Sequence, residues 1–276
     1  MSGPKRGAGG VDWDERCRAM ARAHRAAEIG PERGDRWERR AARFLAMARA
    51  AQTEDLFSVL GPLLTSSDVV LDVGAGTGRH VVELATRVAR VIALEPSAAM
   101  RAGLAEVVRE RGLANVTTMS DAWPAELPGG CDVAFSSHVF YGVDEPTAFV
   151  TAMTRAARRA CVLYLAPSPP VCALDGVWEH VHGAPRPRPP GALEAFALLW
   201  QLDARPELRH VPNSERAMVY SDAREDLVEL GARVGLDASD DSIARVRAAL
   251  EARAIRVEGG WNVGSAGPNV LISWKP

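Results

Sequence analysis

A run of alternating glycines, preceded by an acidic residue, is the segment of this sequence best suited to chemistry. It reads Asp72-Val-Gly74-Ala-Gly76-Thr-Gly78 and follows the apolar residues 69–71. Such glycines let the chain turn tightly and let a ligand approach the main chain where a Cβ would block it. The spacing is neither the G-x-G-x-x-G of dinucleotide-binding dehydrogenases nor a phosphate-binding loop. An acid at its start would repel a phosphate but could accept hydrogen bonds from a cationic amino-acid group.

Two further acids end the next two apolar segments. Glu95 follows residues 91–94, where a carboxylate can bind both hydroxyls of a ribose. Asp121 follows residues 115–119, where it could accept from the amino group of an adenine. Because ligands of open α/β sheets bind beyond the carboxyl ends of the strands, this order of loop and acids predicts a nucleoside ligand.

Two titratable residues, His138 and Tyr141, follow a fourth apolar segment, residues 132–135. The ordinary pKa of histidine suits a general base at neutral pH, so we predict that His138, assisted by Tyr141, lines a substrate pocket. A hydrogen-bonded wall residue is the equally weighted alternative for His138, and packing is an alternative for Tyr141.

Other histidines do not predict a metal site. Residues 178–182 would place His180 and His182 on one side of a strand, but no third ligand is near. His80, at the start of the helix after the glycine loop, is predicted to be structural.

The elements that must position these residues alternate along the chain. Apolar strands at residues 69–73, 91–94, 115–119, 132–135 and 160–165 are separated by helical segments, which predicts a parallel sheet with helices on both faces. Two more strands, 254–263 and 269–274, are joined by only five residues. A parallel crossover needs a dozen or more, so we predict an antiparallel hairpin.

The rest of the chain divides around this core. We predict a disordered tail over residues 1–11, N-terminal helices forming a cap over 12–64, and a core made of 65–166 with 254–276. Residues 167–253 break the alternation with a Pro-rich stretch and further helices, and are predicted to be an insert that forms a substrate lid.

Composition narrows the class of protein. The net charge is −2, and although residues 1–52 carry a local excess of +5, their arginines alternate with acids at helical spacing. Ion pairs explain this pattern better than nucleic-acid binding does. The four cysteines form no C-x-x-C pair, no apolar run is long enough for a membrane span, and no signal segment begins the sequence, so we predict a cytoplasmic protein, monomeric or homodimeric.

The glycine loop and the segments after it resemble the class I S-adenosylmethionine-dependent methyltransferases. Residues 69–78 match the D/E-x-G-x-G-x-G signature of that family, and residues 91–97, 120–123 and 131–135 match its next three elements in order. The resemblance implies a seven-stranded sheet of order 3-2-1-4-5-7-6, mostly parallel with the last strand antiparallel. It implies S-adenosylmethionine as cofactor and S-adenosylhomocysteine as product. Asp72 and the loop backbone would bind the methionine part, Glu95 the ribose, and Asp121 with Ala122 the adenine. The full predicted cofactor set is Asp72, Gly74, Ala75, Gly76, Gly78, Glu95, Pro96, Asp121, Ala122, Trp123 and Ser137.

The segment after the fourth strand limits the classes of methyl acceptor that we expect. It reads Ser136-Ser137-His138-Val139, without the Asn/Asp-Pro-Pro-Tyr/Phe motif of enzymes that methylate the amino groups of nucleic-acid bases or the Pro-Cys of cytosine-C5 enzymes. We therefore expect methyl transfer to an oxygen or nitrogen atom of a small molecule. Two alternatives stay open: another transferase on this fold, such as an aminopropyltransferase, and a catalytically silent S-adenosylmethionine-binding or regulatory module.

Overall fold

The computed structural model of the protein describes residues 10–27, 37–50, 54–127, 129–215 and 217–276. Three helices open the chain: α1 (Trp13–Ala27), α2 (Glu38–Arg49) and α3 (Glu54–Leu60), the last continued by a 3₁₀ turn at Gly61–Leu63. All but the last two residues of the predicted tail, 1–11, lie outside the described residues.

The main sheet begins with five parallel strands. They are β1 (Val69–Val73), β2 (Arg90–Leu94), β3 (Val116–Met119), β4 (Cys131–Ser137) and β5 (Ala157–Leu165). The helices between them are α4 (Val81–Ala85), α5 (Ala98–Glu110) and α6 (Pro146–Ala156). The first strand lies in the centre, paired with β2 on one side and β4 on the other. Its residues are almost entirely buried because helices cover both faces of the sheet.

The remaining elements lie between β5 and the last residues. They are α7 (Asp175–His182), α8 (Ala192–Gln201), β6 (Glu207–His210), β7 (Ala217–Tyr220), α9 (Arg224–Arg233), α10 (Asp240–Arg253), β8 (Ile255–Val257), β9 (Gly260–Ser265) and β10 (Val270–Trp274). The main sheet has the order β3-β2-β1-β4-β5-β10-β6, and β10 is antiparallel to both of its neighbours. The predicted fold class, with an antiparallel last strand inserted at the sixth position, is confirmed.

The predicted hairpin between residues 254–263 and 269–274 is wrong. The first of these segments folds back on itself as β8 and β9, which join β7 in a separate three-stranded sheet. The reason is a turn at Glu258-Gly259, followed by Gly260 at φ +149°, where a Cβ would lie 2.1 Å from the Tyr220 carbonyl oxygen. The partner of β10 at the outer edge is instead β6, from within the predicted insert.

The insert has an apolar core of its own. Trp178 and Val177 of α7 pack with Leu230 of α9 and Leu250 of α10. Because residues 178–182 belong to α7, the prediction of a strand there is also wrong. Side chains two residues apart point in different directions on a helix, so His180 and His182 do not share a face.

Two apolar clusters cover the faces of the main sheet. On one side α1, α6 and α8 contribute, and on the other α3, α4 and α5. In the part of the chain that the structure describes, the helices are too short or too polar to cross a membrane.

Candidate functional site

The glycine loop lies at the carboxyl edge of the sheet, between β1 and α4. The backbone N–H groups of Gly74 and Ala75 both donate to the Leu94 carbonyl oxygen, at 2.8 and 3.1 Å, which ties the loop to the end of β2. Gly76 has a φ of +56°, and no atom lies within 4 Å of the position its Cβ would take. The backbone at Gly76 therefore borders open space that a ligand can enter.

The side chain of Glu95 binds the backbone of this loop. It is only 6% exposed. Its Oε2 accepts from the Gly76 N–H at 2.9 Å and its Oε1 from the Ser97 N–H at 2.8 Å. One carboxylate thus fixes both the glycine loop and the start of α5. Gly78, by contrast, packs against α5, since its Cβ would lie 2.7 Å from Leu104 Cδ1.

Asp72 is a buried carboxylate. It is 2% exposed, and among the described residues burial and the charge of Glu95, rather than any hydrogen bond, determine the pKa of its side chain. Burial, and then repulsion from Glu95, raises the pKa of Asp72 to about 7. A buried acid is costly unless a cation compensates it, so this position suits a cationic ligand group. We call Asp72, Gly76 and Glu95 the acidic loop site.

A cavity of about 360 Å³ adjoins this site. The predicted residues Gly74, Pro96, Ala122 and Trp123 are in its wall, together with Val139 and residues 142–145. The Trp123 Nε1–H donates to the Phe149 carbonyl oxygen at 3.0 Å, which fixes the indole against α6. Asp121 is exposed and does not line this cavity, while Ala75 is buried in the loop. His138 and Tyr141, predicted to line the substrate pocket, are not in the wall of this cavity either.

A second polar group occupies the same edge of the sheet, at the ends of β4 and β5. Ser137 Oγ lies 3.1 Å from His80 Nε2, and the ring of Tyr164 packs edge-on against His80. Asn269, which precedes the antiparallel β10, donates to Tyr164 Oη at 2.9 Å. We call His80, Ser137, His138, Tyr141, Tyr164 and Asn269 the histidine cluster.

His138 is half-buried in this cluster and has a φ of +58°, a conformation in which histidine is one of the more frequent non-glycine residues. Its Nδ1 lies 2.8 Å from Tyr141 Oη, and its ring packs against Tyr164 at 5.2 Å. Burial, and then the positive charge of Arg79, lowers the pKa of His138 to about 3. At neutral pH its imidazole is neutral.

His80, predicted to be structural, is at the centre of the cluster. It is 6% exposed, and burial followed by the charges of Arg79 and His138 holds its pKa well below the ordinary value. Sequence reasoning also missed Tyr164 and Asn269. The signal in the sequence that could have placed His80 and Tyr164 at this site was their position. His80 comes two residues after the glycine loop, and Tyr164 is the residue before the end of β5.

The N-terminal helix α1 covers the rim of the cavity. Arg18 pairs with Glu145 at 2.6 Å, Arg25 pairs with Asp144, and the Thr147 N–H donates to Asp14 Oδ1 at 3.0 Å. On its other side, α1 is held by the insert, since the Trp13 N–H donates to Gln201 Oε1 at 2.7 Å. The cavity wall at residues 144–147 is thus tied to α1, and α1 is tied to α8.

Comparison with known proteins agrees with this geometry. Residues 71–165 match the family model described as a methyltransferase domain. The match identifies these residues as a methyltransferase domain, in agreement with the resemblance found in the sequence. No curated protein matches the chain.

Solved structures share the fold at low identity. The YcgJ protein of Bacillus subtilis is 15% identical with a TM-score of 0.55, over 81% of this chain and 99% of that one. A putative methyltransferase, BH2331 from Bacillus halodurans C-125, is 14% identical with a TM-score of 0.56, over 79% of this chain and 99% of that one. At these sequence identities the similarity shows a shared fold and nothing further.

Proposed function

We propose that this protein transfers the methyl group of S-adenosylmethionine to an oxygen or nitrogen atom of a small molecule. The observation that carries the proposal is the acidic loop site, where a buried carboxylate lies beside an open glycine backbone and a 360 Å³ cavity. When bound, S-adenosylmethionine supplies a methyl group already activated by a sulfonium, so the protein has mainly to position the acceptor and exclude water.

The chain's own residues divide this work. Asp72 would accept from the cationic amino-acid end, and Glu95 from the ribose. A carboxylate has about four acceptor positions, so Glu95 can hold the loop backbone and a ligand hydroxyl together. Trp123, with Ala122 and Pro96, offers the apolar wall that a purine requires. Asp121 stays a prediction, one that needs its exposed side chain to turn towards the adenine.

The small size of the acceptor is supported by the cover over the cavity. Helix α1 is joined to the rim by ion pairs and a hydrogen bond, and the insert is joined in turn to α1, as expected of a lid. Arginines of the N-terminal helices, including Arg18, Arg22, Arg25 and Arg49, are paired with carboxylates. Phosphates would have to compete with those partners, so we do not propose a nucleic-acid substrate.

The proposal includes the cellular location predicted for the protein. The four cysteines are free thiols and three are buried, in keeping with the cytoplasmic location we propose.

The test has two arms. Calorimetry with S-adenosylmethionine and S-adenosylhomocysteine measures binding. Transfer of labelled methyl from the cofactor into a small-molecule cell extract, with RNA and DNA fractions as matched controls, measures turnover and acceptor class. Label in the small-molecule fraction is expected. Binding without transfer to any fraction would leave the silent binding module as the better interpretation, and label in nucleic acid would contradict the acceptor class.

Hydrogen exchange tests the cover separately. Helix α1 and residues 170–201 should gain protection when the cofactor product and an acceptor bind together. Unchanged exchange in both segments would contradict a lid role.

A further inference from the structure

Strand β6 is the outer edge of the main sheet. One side of β6 pairs with β10, and none of the strands that the structure describes pairs with its other side. All four residues of β6 are exposed. An open edge presents backbone N–H and C=O groups that can pair with a strand of another chain. What this edge can bind depends on which of its backbone groups face outwards.

The pairing with β10 determines which backbone groups of β6 face outwards. The two strands are antiparallel, and directly after β6 the Val211 N–H donates to the Asn269 carbonyl oxygen at 3.0 Å. Opposite residues of an antiparallel pair alternate between hydrogen-bonded and non-hydrogen-bonded. Counting back from Val211, every second residue therefore bonds to β10. The N–H and C=O groups of Leu208 and His210 point away from β10, towards the open side.

The charges of β6 are complementary to a second copy of the same strand. Glu207 and Arg209 lie on one face of the strand, 2.9 Å apart as an ion pair. If two copies pair antiparallel about a two-fold axis at Leu208, Glu207 of each copy lies opposite Arg209 of the other. Opposite charges directly across two strands stabilise their pairing. In this register the outward N–H and C=O groups of Leu208 also meet those of the second Leu208.

The neighbouring registers do not fit. A two-fold axis between two residues would place an outward-facing residue opposite an inward-facing one, so the backbone hydrogen bonds could not form. An axis at Glu207 or at Arg209 would place that residue opposite its own copy, and like charges directly opposite are destabilising. Charged side chains often protect an edge strand from pairing. Here the order of the two signs favours one register of self-pairing.

Apolar side chains lie on the other face of the same edge. Leu208 is 42% exposed, and on α8 Leu193 and Trp200 are 64% and 51% exposed. Leu208 lies opposite Ile272, which belongs to the apolar cluster that α8 covers. Arg205, two residues before β6, packs over the Trp200 ring at 5.3 Å. Because residues seven apart share one face of a helix, Leu193 and Trp200 form an exposed apolar stripe on α8 beside β6.

We propose that the outer side of β6 is a dimerisation surface, on which a second copy of this chain continues the main sheet. Leu208 lies at the two-fold axis, and Glu207 and Arg209 form ion pairs between the copies. The apolar stripes of the two α8 helices cover one face of the junction. This assignment does not depend on the proposed methyl transfer.

The first test is the oligomeric state of the full chain, measured by sedimentation equilibrium from about 1 to about 100 μM. A dimer is expected. Leu208→Lys should raise the dissociation constant by about tenfold or more, because it places two like charges at the axis. Val219→Lys is the matched control, since Val219 is 40% exposed on an edge strand of the smaller sheet. A monomeric wild-type protein, or equal effects of the two variants, would overturn the proposal.

The second test exchanges the charges. Arg209→Glu and Glu207→Arg each make all four charges at the junction alike, so each variant alone should dimerise about tenfold or more weakly. An equimolar mixture of the two should form a heterodimer of wild-type affinity, and the double variant should recover the homodimer. Mixing cannot repair a defect inside one chain, and thermal unfolding identifies a variant that has failed to fold. Single variants that dimerise normally, or a folded mixture that stays monomeric, would overturn the pairing.

Hydrogen exchange measures the backbone bonds directly. In the dimer the amides of Leu208 and His210 should exchange slowly, and dilution to the monomer should make both fast. The amide of Arg209, which faces β10, should stay protected in both states. Fast exchange of the Leu208 amide in a dimeric sample would contradict pairing through this edge.

Discussion

The acidic loop site and the histidine cluster lie on the same edge of the sheet but are assembled in different ways. The first is built within 24 residues of sequence, 72–95, and its geometry depends on backbone N–H groups held by one carboxylate. The second joins side chains from residues 80 to 269, and its geometry depends on bonds between side chains. A backbone site tolerates few changes at its glycines, whereas a side-chain cluster can change one member at a time. We therefore expect the loop to define the cofactor and the cluster to define the acceptor.

The largest effect should come from filling the open space of the loop. Gly76→Val should abolish measurable binding of S-adenosylmethionine, because the new side chain would occupy the space next to the backbone at φ +56°. Gly112 is a matched control, with a φ of +63° and nothing within 4 Å of its Cβ position. Gly112→Val should show a similar loss of stability from backbone strain with cofactor affinity unchanged. Calorimetry and thermal unfolding measure both, and equal loss of affinity in the two variants would contradict the site.

The second effect is a pH dependence of stability. The pKa of Asp72 is about 7 in the folded protein, above its ordinary value of 3.8. Between about pH 4 and about pH 7 the folded state therefore holds a proton that the unfolded chain has lost, so this residue lowers the free energy of unfolding as pH rises. Asp72→Asn lacks this titration. The free energy of unfolding of Asp72→Asn, minus that of wild type, should therefore increase from about pH 4 to about pH 7 by up to a few kcal/mol, and stay constant at higher pH.

Asp68 is the control for Asp72, because its pKa is shifted in the opposite direction. Bonds from Thr65 and Arg159 outweigh burial and lower the pKa of Asp68. Its stabilisation is present above the ordinary pKa and is lost as pH falls towards the folded value. Asp68→Asn should therefore be less stable than wild type at neutral pH, and this deficit should shrink on acidification. Urea unfolding at several pH values compares the two variants, and parallel curves would contradict the assignment.

A smaller effect is expected at Glu95. Glu95→Ala removes the acceptor for Gly76 and Ser97, and should weaken cofactor binding by about 1–3 kcal/mol, which is roughly fivefold to 150-fold. Glu106→Ala on α5 removes the same charge from a partly exposed ion pair with Arg49 and should leave the affinity unchanged. An equal loss in both variants, measured by calorimetry, would mean that overall charge matters rather than the loop.

The smallest effect concerns α1 and the rim. Arg18→Ala breaks a partly exposed ion pair with Glu145, so stability should change by only about 0.2–1 kcal/mol. Hydrogen exchange of residues 142–147 should nevertheless become faster. Arg22→Ala, which breaks a pair within α1, should leave exchange at the rim unchanged. If both variants act alike on residues 142–147, the rim does not depend on the Arg18–Glu145 pair.

The parts of the molecule that were predictable from sequence are those whose signal is local. Continuous apolar, β-branched segments identified the central parallel strands such as β1, since both faces of that part of the sheet are buried. The glycine loop and Glu95 were predictable for the same reason: their spacing along the chain determines their geometry.

The rest depends on long-range contacts. Residues Glu207–His210 are exposed along their whole length, so no pattern of burial marks them as a strand of the main sheet. They become one because the backbone of β10 lies alongside. Tyr164 and Asn269 meet across 105 positions of sequence, and neither carries a local signal of the other. The strand predicted at residues 178–182 failed because their apolar side packs in the core of the insert as a helix.

The position of β10 between β5 and β6 also determines the order in which the sheet can be completed as the chain is synthesised. Strand β6 leaves the ribosome some 60 residues before β10, yet its hydrogen-bonding partner in the sheet is β10. Until then the outer edge of β5 is open, and unpaired strand edges are where nascent chains associate wrongly. The insert has its own apolar core, but residues 207–210 do not belong to it, so β6 has no strand partner before β10 is made. Closing the sheet is therefore a late event, and slow or interrupted translation of residues 211–269 should favour aggregation through β5.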